Sequence, residues 1–202
     1  MAKGGYTKRV IWVDLTKRKA EIRSLEDELL EKFIGGVGVG TKILYEEGLK
    51  DRNPFSPDAP LIIMTGPLTG TSVPTSGRLS VVALSPETIS YGESDVGGTW
   101  GVALKKAFFD GIVIKGRSDT PVYLRISQGE ITIEDAISLW GQDTFKTSAS
   151  LKNRWGGRTK VMCIGQAGER LSKIAAIFTD GVHARVAGRG GLGAVMGSKN
   201  LK

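Results

Sequence analysis

The chain has 202 residues, 40% of them hydrophobic and 24% charged, with 28 basic and 21 acidic side chains for a formal charge of +7. That length carries one well-cored domain. No run of about eighteen apolar residues and no apolar stretch behind the basic start exist, which argues against a transmembrane helix and a secretory signal and makes the cytoplasm the expected location.

Cysteine and histidine narrow the chemistry further. Cys163 and His183 each stand alone. A lone thiol builds neither an internal disulfide nor an iron–sulfur cluster, which takes about four thiolates. A lone imidazole gives a zinc site or a His-based triad little to build on. Cys163, in "KVMCIGQAG", reads as a small buried hydrophobe in a strand. Glycine is the anomaly: 28 of 202 residues, about twice the usual share.

In chain order, "RVIWVDLTKRKAEIRSL" alternates apolar and polar residues around Leu15–Lys19 and predicts a hairpin with Val10, Trp12 and Ile22 facing a core. "EDELLEKFIGG" predicts a short amphipathic helix stopped by Gly35 and Gly36. "VGVGTKILYEEGLK" predicts a second, with Ile43 and Leu44 inward and Gly48 as its stop. "DRNPFSPDAP" is a proline-punctuated loop. "LIIMTGPL" and "GRLSVVALSP" are buried strands. "GGTWGVALKKAFFDG" is a helix opened by glycines and closed by Gly111.

Three short strands follow in "IVIKG", "VYLRIS" and "EITIEDA". An amphipathic helix, "QDTFKTSASLKNRWGG", comes next with Phe145, Leu151 and Trp155 on one face, and then strands in "KVMCIGQAG" and "IAAIFTDG". The series runs twice: two glycine-opened helices, and two strand–glycine loop–strand units. The expectation is one α+β domain over residues 1–202, built by internal duplication with halves of roughly 1–90 and 91–202.

Three glycine-rich loops stand out: "GPLTGTSVPTSGR" (Gly66 to Arg78), "GESDVGGTWG" (Gly92 to Gly101) and "RVAGRGGLGAVMGSKN". Glycines let a backbone approach a ligand and aim its N–H groups at it. Arginine adds a planar fork for phosphate or carboxylate. The middle loop adds Glu93, Ser94 and Asp95, suited to a hard cation among phosphates. Nucleotide motifs are not met. "GRGGLG" fits G-x-G-x-x-G, but no acidic residue follows about twenty positions on. The basic loops lack interleaved aromatic residues, which speaks against a nucleic-acid module.

The long motifs "LIIMTGPLTGTSVPTSGR", "DVGGTWGVALKKAFFDGIVIKG" and "RVAGRGGLGAVMGSKNLK", with the opening "RVIWVDLT", resemble the N-terminal domain of the tungsten-containing aldehyde:ferredoxin oxidoreductase family over essentially the whole chain. The resemblance implies duplicated β3-α-β3 repeats in β/α/β layers. It also implies a base for a bis-molybdopterin cofactor of tungsten or molybdenum, with magnesium bridging the pterin phosphates. By position, Arg78 and Arg185 correspond to family arginines beside the cofactor. With them go Ser76, Gly77, Asp95, Gly97, Gly98, Val186, Gly188, Arg189, Gly190 and Gly191.

The backbone carbonyls of Asp95 and Val186 are the implied magnesium ligands. Asp95 replaces a common Asn and Val186 a common Ala, and a carbonyl contact tolerates both. No catalytic acid, base or nucleophile is assigned within the chain. The 4Fe-4S cluster and catalytic groups fall to a cysteine-bearing region or subunit outside these residues, which hands electrons to ferredoxin in an anaerobic enzyme. A homodimer is a further possibility; nucleic acid and membrane are not expected partners. The alternative is a non-catalytic carrier or scaffold for the cofactor.

Overall fold

The computed structural model describes residues 4–47, 53–127 and 129–202. The fold is mixed α+β, centred on a six-stranded sheet of β1 (Arg9–Asp14), β2 (Lys19–Ser24), β3 (Leu61–Thr65), β4 (Leu79–Ser85), β5 (Ser90–Val96) and β6 (Gly111–Lys115), in the order β2-β1-β6-β3-β4-β5. Only β1 and β6 run parallel among its neighbours. The central strands read as continuous apolar runs because both faces are covered. Ile11, Ile63, Val81 and Ile112 face one core; Val10, Ile62, Val82 and Val113 face the other.

The second core is closed by α1 (Asp27–Phe33) and α2 (Gly36–Glu47), where Leu30, Val39, Ile43 and Leu44 are buried. The first is closed by α6 (Leu192–Ser198), buried along its whole length. Beyond it lie the hairpin of β7 (Val122–Ser127) and β8 (Glu130–Asp135) and a three-stranded sheet, β11-β10-β9. That sheet consists of β9 (Met162–Cys163), β10 (Ile177–Thr179) and β11 (Arg185–Ala187). Helix α6 is thus the filling between a large sheet and small ones, the β/α/β layering expected. Helices α3 (Trp100–Lys106), α4 (Thr144–Trp155) and α5 (Gln166–Glu169) complete the chain.

Several local expectations are corrected. Ile22 is 43% exposed, because β2 is an edge strand with every residue outward, and its hairpin partner β1 buries Ile11 and Val13 as well as Val10. Trp12 does pack against the second core. Helix α1 is capped by Ile34 (φ 64°), while Gly36 opens α2 instead of closing α1. Gly48 lies outside the described residues. Helix α3 ends at Lys106, and Gly111 is already the first residue of β6, since Ala107 and Phe108 (φ 65°) complete the turn.

Of the expected α4 face Leu151 is buried, together with Thr147 and Ser148, but Phe145 is 51% and Trp155 37% exposed; the helix is capped by Asp143, which accepts from the Lys146 N–H at 2.7 Å. Half of the middle glycine loop, Gly92–Val96, is strand β5, paired in full register from Leu79↔Val96 to Ser85↔Ser90, and Trp100 and Gly101 open α3, leaving Gly97–Thr99 as the turn. Likewise the closing glycine loop shrinks to Gly188–Gly191, because Leu192, Val195 and Met196 drive the rest into the core as α6. Cys163 is buried in β9 as expected, and burial pushes its thiol up to about 12.

Candidate functional site

The first two loops meet at the Leu79–Val96 end of the β4–β5 pair, and the third runs from there along β5, with Arg185 at Gly98, Arg189 at Ser94 and Gly190 at Gly92 and Ser85. The register Leu79↔Val96 sets Arg78 across from Gly97. A Cβ on Gly77 would fall 2.8 Å from the Gly98 carbonyl oxygen, so the first two loops cross with no room for a side chain. Gly98 (φ 98°) leads on to Arg185: a Cβ there would sit 1.6 Å from Asp180 Oδ2 and 3.1 Å from Arg185 Cγ. Only glycine fits that conformation and that contact. The edge strands β5 and β11 lie against each other, and the Arg189 N–H donates to Ser94 Oγ at 3.1 Å.

The residues singled out by sequence spread from this crossing along β5, and Gly190 and Gly191 lie at its far, Ser85 end. Ser76 Oγ turns back to the Val73 carbonyl at 2.8 Å, and the Arg78 carbonyl accepts from Thr69 Oγ1 at 3.0 Å, which fixes the first loop. Asp95 Oδ1 accepts from Ser80 Oγ at 2.7 Å across the β4–β5 pair. Gly97 faces open space. Val186 pairs with Phe178, and Gly188 sits beside the Val186 side chain. Gly190 lies near Ser85 and Gly92, while Gly191 passes against the Lys173 carbonyl.

The electrostatics follow. Arg78, Arg185 and Arg189 are exposed, and among the described residues their guanidinium groups form no ion pair or hydrogen bond. Three unpaired forks over a glycine-lined junction suit a multiply charged anion such as a phosphorylated ligand. The nearby carboxylates, Asp95 and Asp180, are both occupied with protein hydrogen bonds. Among the described residues no three His, Cys, Asp or Glu side chains come together to hold a metal. A cation here would therefore have to rest on backbone carbonyls and the ligand's own oxygens.

Sequence reasoning missed Asp180. Held in the left-handed region (φ 62°), it accepts from the Thr99 N–H at 2.9 Å and from Thr99 Oγ1, clasping the second loop to the third. Asp-Gly after a strand is a turn signal, yet nothing local announces a partner 81 residues away. Ser94, 3% exposed, sits in strand β5, and its hydroxyl holds the third loop, a role the loop reading does not give it.

Comparison with known proteins gives a consistent picture. Residues 10–202 match the family model described as aldehyde ferredoxin oxidoreductase, N-terminal domain. The tungsten-containing aldehyde ferredoxin oxidoreductase of Pyrococcus furiosus is 44% identical over 195 residues, covering 96% of this chain and 32% of the relative. The aliphatic sulfonate oxidoreductase, WOR-like subunit, of the same organism is 38% identical over 98% of this chain and 34% of its own. The solved active site complex BamBC of benzoyl coenzyme A reductase, in complex with 1,5-dienoyl-CoA, superposes with a TM-score of 0.93 at 35% identity, over 98% of this chain and 30% of that one. The chain thus spans about a third of the length of the relatives it matches.

Proposed function

Because this chain belongs to the aldehyde ferredoxin oxidoreductase N-terminal domain family, we propose that it is the base on which a tungsten (or molybdenum) bis-molybdopterin cofactor sits. The observation that carries the reading is the set of three exposed arginines, unpaired among the described residues, placed along the glycine-lined edge of β5 from Gly98 to Ser94. Arg78, Arg185 and Arg189 hold the phosphates and pterin edges. Gly77, Gly97, Gly98, Gly188, Gly190 and Gly191 give the ligand backbone-close approach, and Ser76 keeps the first loop turned. The backbone carbonyls of Asp95 and Val186 would be the ligands of a magnesium ion, which would add positive charge beside the cofactor's phosphates. The whole is a single domain whose two halves join near residue 90.

When bound, the metal–dithiolene group supplies two-electron redox chemistry. This chain supplies orientation and charge neutralisation; no acid, base or nucleophile in it serves the reaction. Oxidation of an aldehyde to a carboxylic acid, with electrons leaving through a 4Fe-4S cluster to ferredoxin, belongs to the larger assembly with a cysteine-bearing region. Relatives named for aldehydes, aliphatic sulfonates and benzoyl coenzyme A share this domain, which supports a role at the cofactor rather than at the substrate. Among the described residues no helix is long and apolar enough to cross a membrane.

The test is strictly anaerobic native purification with metal analysis and identification of co-eluting chains. Tungsten or molybdenum together with a larger cysteine-bearing polypeptide is the expected result. Metal with no such polypeptide selects the non-catalytic carrier, and a metal-free chain sinks the reading.

A further inference from the structure

A second concavity lies away from the arginine loops, between the large sheet and the β7–β8 hairpin, with a cavity volume of about 340 Å³. Ligand pockets run from roughly 300 to 1,000 Å³. Helix α3 divides the two places. Gly101, Val102 and Lys105 face Leu79 and the first loop, while Trp100, Ala103, Leu104 and Ala107 line the cavity. The floor is Ile63, Ile112 and Ile114 of the sheet, and the far walls include Trp155, Met162 and Met196.

The walls are organised. The Trp155 indole N–H donates to Tyr123 Oη at 3.0 Å, and the Arg125 guanidinium lies 4.1 Å from the Trp155 ring centroid. The aromatic wall is thus fixed with its polar atom satisfied. Among the described residues its charged side chains are all cationic: Arg125, Arg158, Lys160 and Lys202. Lys202 is neutralised by the buried Glu169 carboxylate. Arg158 and Lys160 are exposed and, among the described residues, have no ion-pair partner.

We propose that this cleft is a binding site for an amphipathic monocarboxylate, with its aryl or medium-chain alkyl body against Trp100, Trp155, Met162 and Met196 and its carboxylate at Arg158 and Lys160. The apolar interior selects against small hydrophilic anions, and the one-sided charge selects against neutral and cationic amphiphiles of the same shape. The site does not depend on a cofactor at the arginine loops.

The test is calorimetric titration of the 202-residue chain with decanoate, decan-1-ol and decyltrimethylammonium, each below its micellar concentration. Decanoate is expected to bind at one site, at least tenfold tighter than the other two. The double variant Arg158→Ala/Lys160→Ala, both exposed positions, should erase that preference. Ala107→Phe should fill the cavity and remove binding, and Arg78→Ala should leave the decanoate affinity unchanged. Equal affinity for all three amphiphiles, no saturable heat with decanoate, or affinity unaltered in the charge variant would overturn the proposal. So would loss of decanoate binding in Arg78→Ala. If Ala107→Phe fails to fold, the surface charge variant decides alone.

Discussion

At Gly98 a single hydrogen atom separates a working junction from a clash. Ala there would adopt φ 98° and press its methyl into the Asp180 carboxylate. The expected cost is about 2–4 kcal/mol, combining left-handed backbone strain with the broken Asp180–Thr99 clasp, read as a lower urea midpoint with unchanged slope. In an Asp180→Ala background the added cost of Gly98→Ala should shrink, a non-additivity that a double-mutant cycle measures. Arg78 makes the opposite case. Its side chain is exposed and without an ion pair, so Arg78→Ala should leave stability within about 0.5 kcal/mol while lowering the bound metal content of the native protein. Equal loss of stability and metal would mean that the arginine serves the fold instead.

Among the elements, two buried cations are tied in different ways. Lys105 of α3 pairs with Asp110, whose carboxylate also accepts from the Thr7 N–H at 2.9 Å and the Lys8 N–H at 2.7 Å. That one side chain joins the N-terminal segment, α3 and β6. Asp110→Asn leaves the lysine buried with a weaker partner and should cost about 3 kcal/mol, seen in thermal unfolding.

Lys199, just past α6, is fully buried and among the described residues reaches the Pro57 carbonyl at 3.3 Å and the Gly116 carbonyl at 3.5 Å. Burial first, then the Arg117 and Lys115 charges, bring it down from 10.5 to about 7. Between those values the unfolded chain holds a proton that the folded chain has released, so stability rises with pH, by at most about 1.4 kcal/mol per unit. Below pH 7 both states are protonated and the full cost of burying the charge remains. The melting midpoint should therefore climb from pH 7 to 9, and Lys199→Met should flatten that climb and raise the midpoint at pH 6. An unchanged profile in the variant would assign the pH dependence to other groups.

For the whole molecule, the layering sets what each face can do. The large sheet carries α1 and α2 on one side and α6 on the other, so the loops at its end are held from three elements at once. Cys163 sits deep in β9 with its thiol held protonated well above neutral pH. Cys163→Ser should accordingly leave the metal content of the purified protein unchanged, and a drop would make the thiol a ligand. Part of the excess positive charge forms the cations of the arginine loops and the Arg158–Lys160 rim.

Most strands were legible because their signal is local: "LIIM" and "VVAL" are continuous apolar runs of the kind that strands buried on both faces show. The motifs of the three loops were likewise readable, and with them the family. Misread were the places where a neighbour distant in sequence overrides local chemistry. Gly92 to Val96 look like a loop until β4 supplies hydrogen-bonding partners, and the glycines after Gly191 look open until the core claims Leu192, Val195 and Met196. Sequence by itself determined which residues could meet an anion, since charge, glycine content and spacing are properties of the chain. Only the tertiary structure decided that they meet, through Asp180 and Ser94, because hydrogen bonds spanning 81 and 95 residues leave no trace in any local pattern.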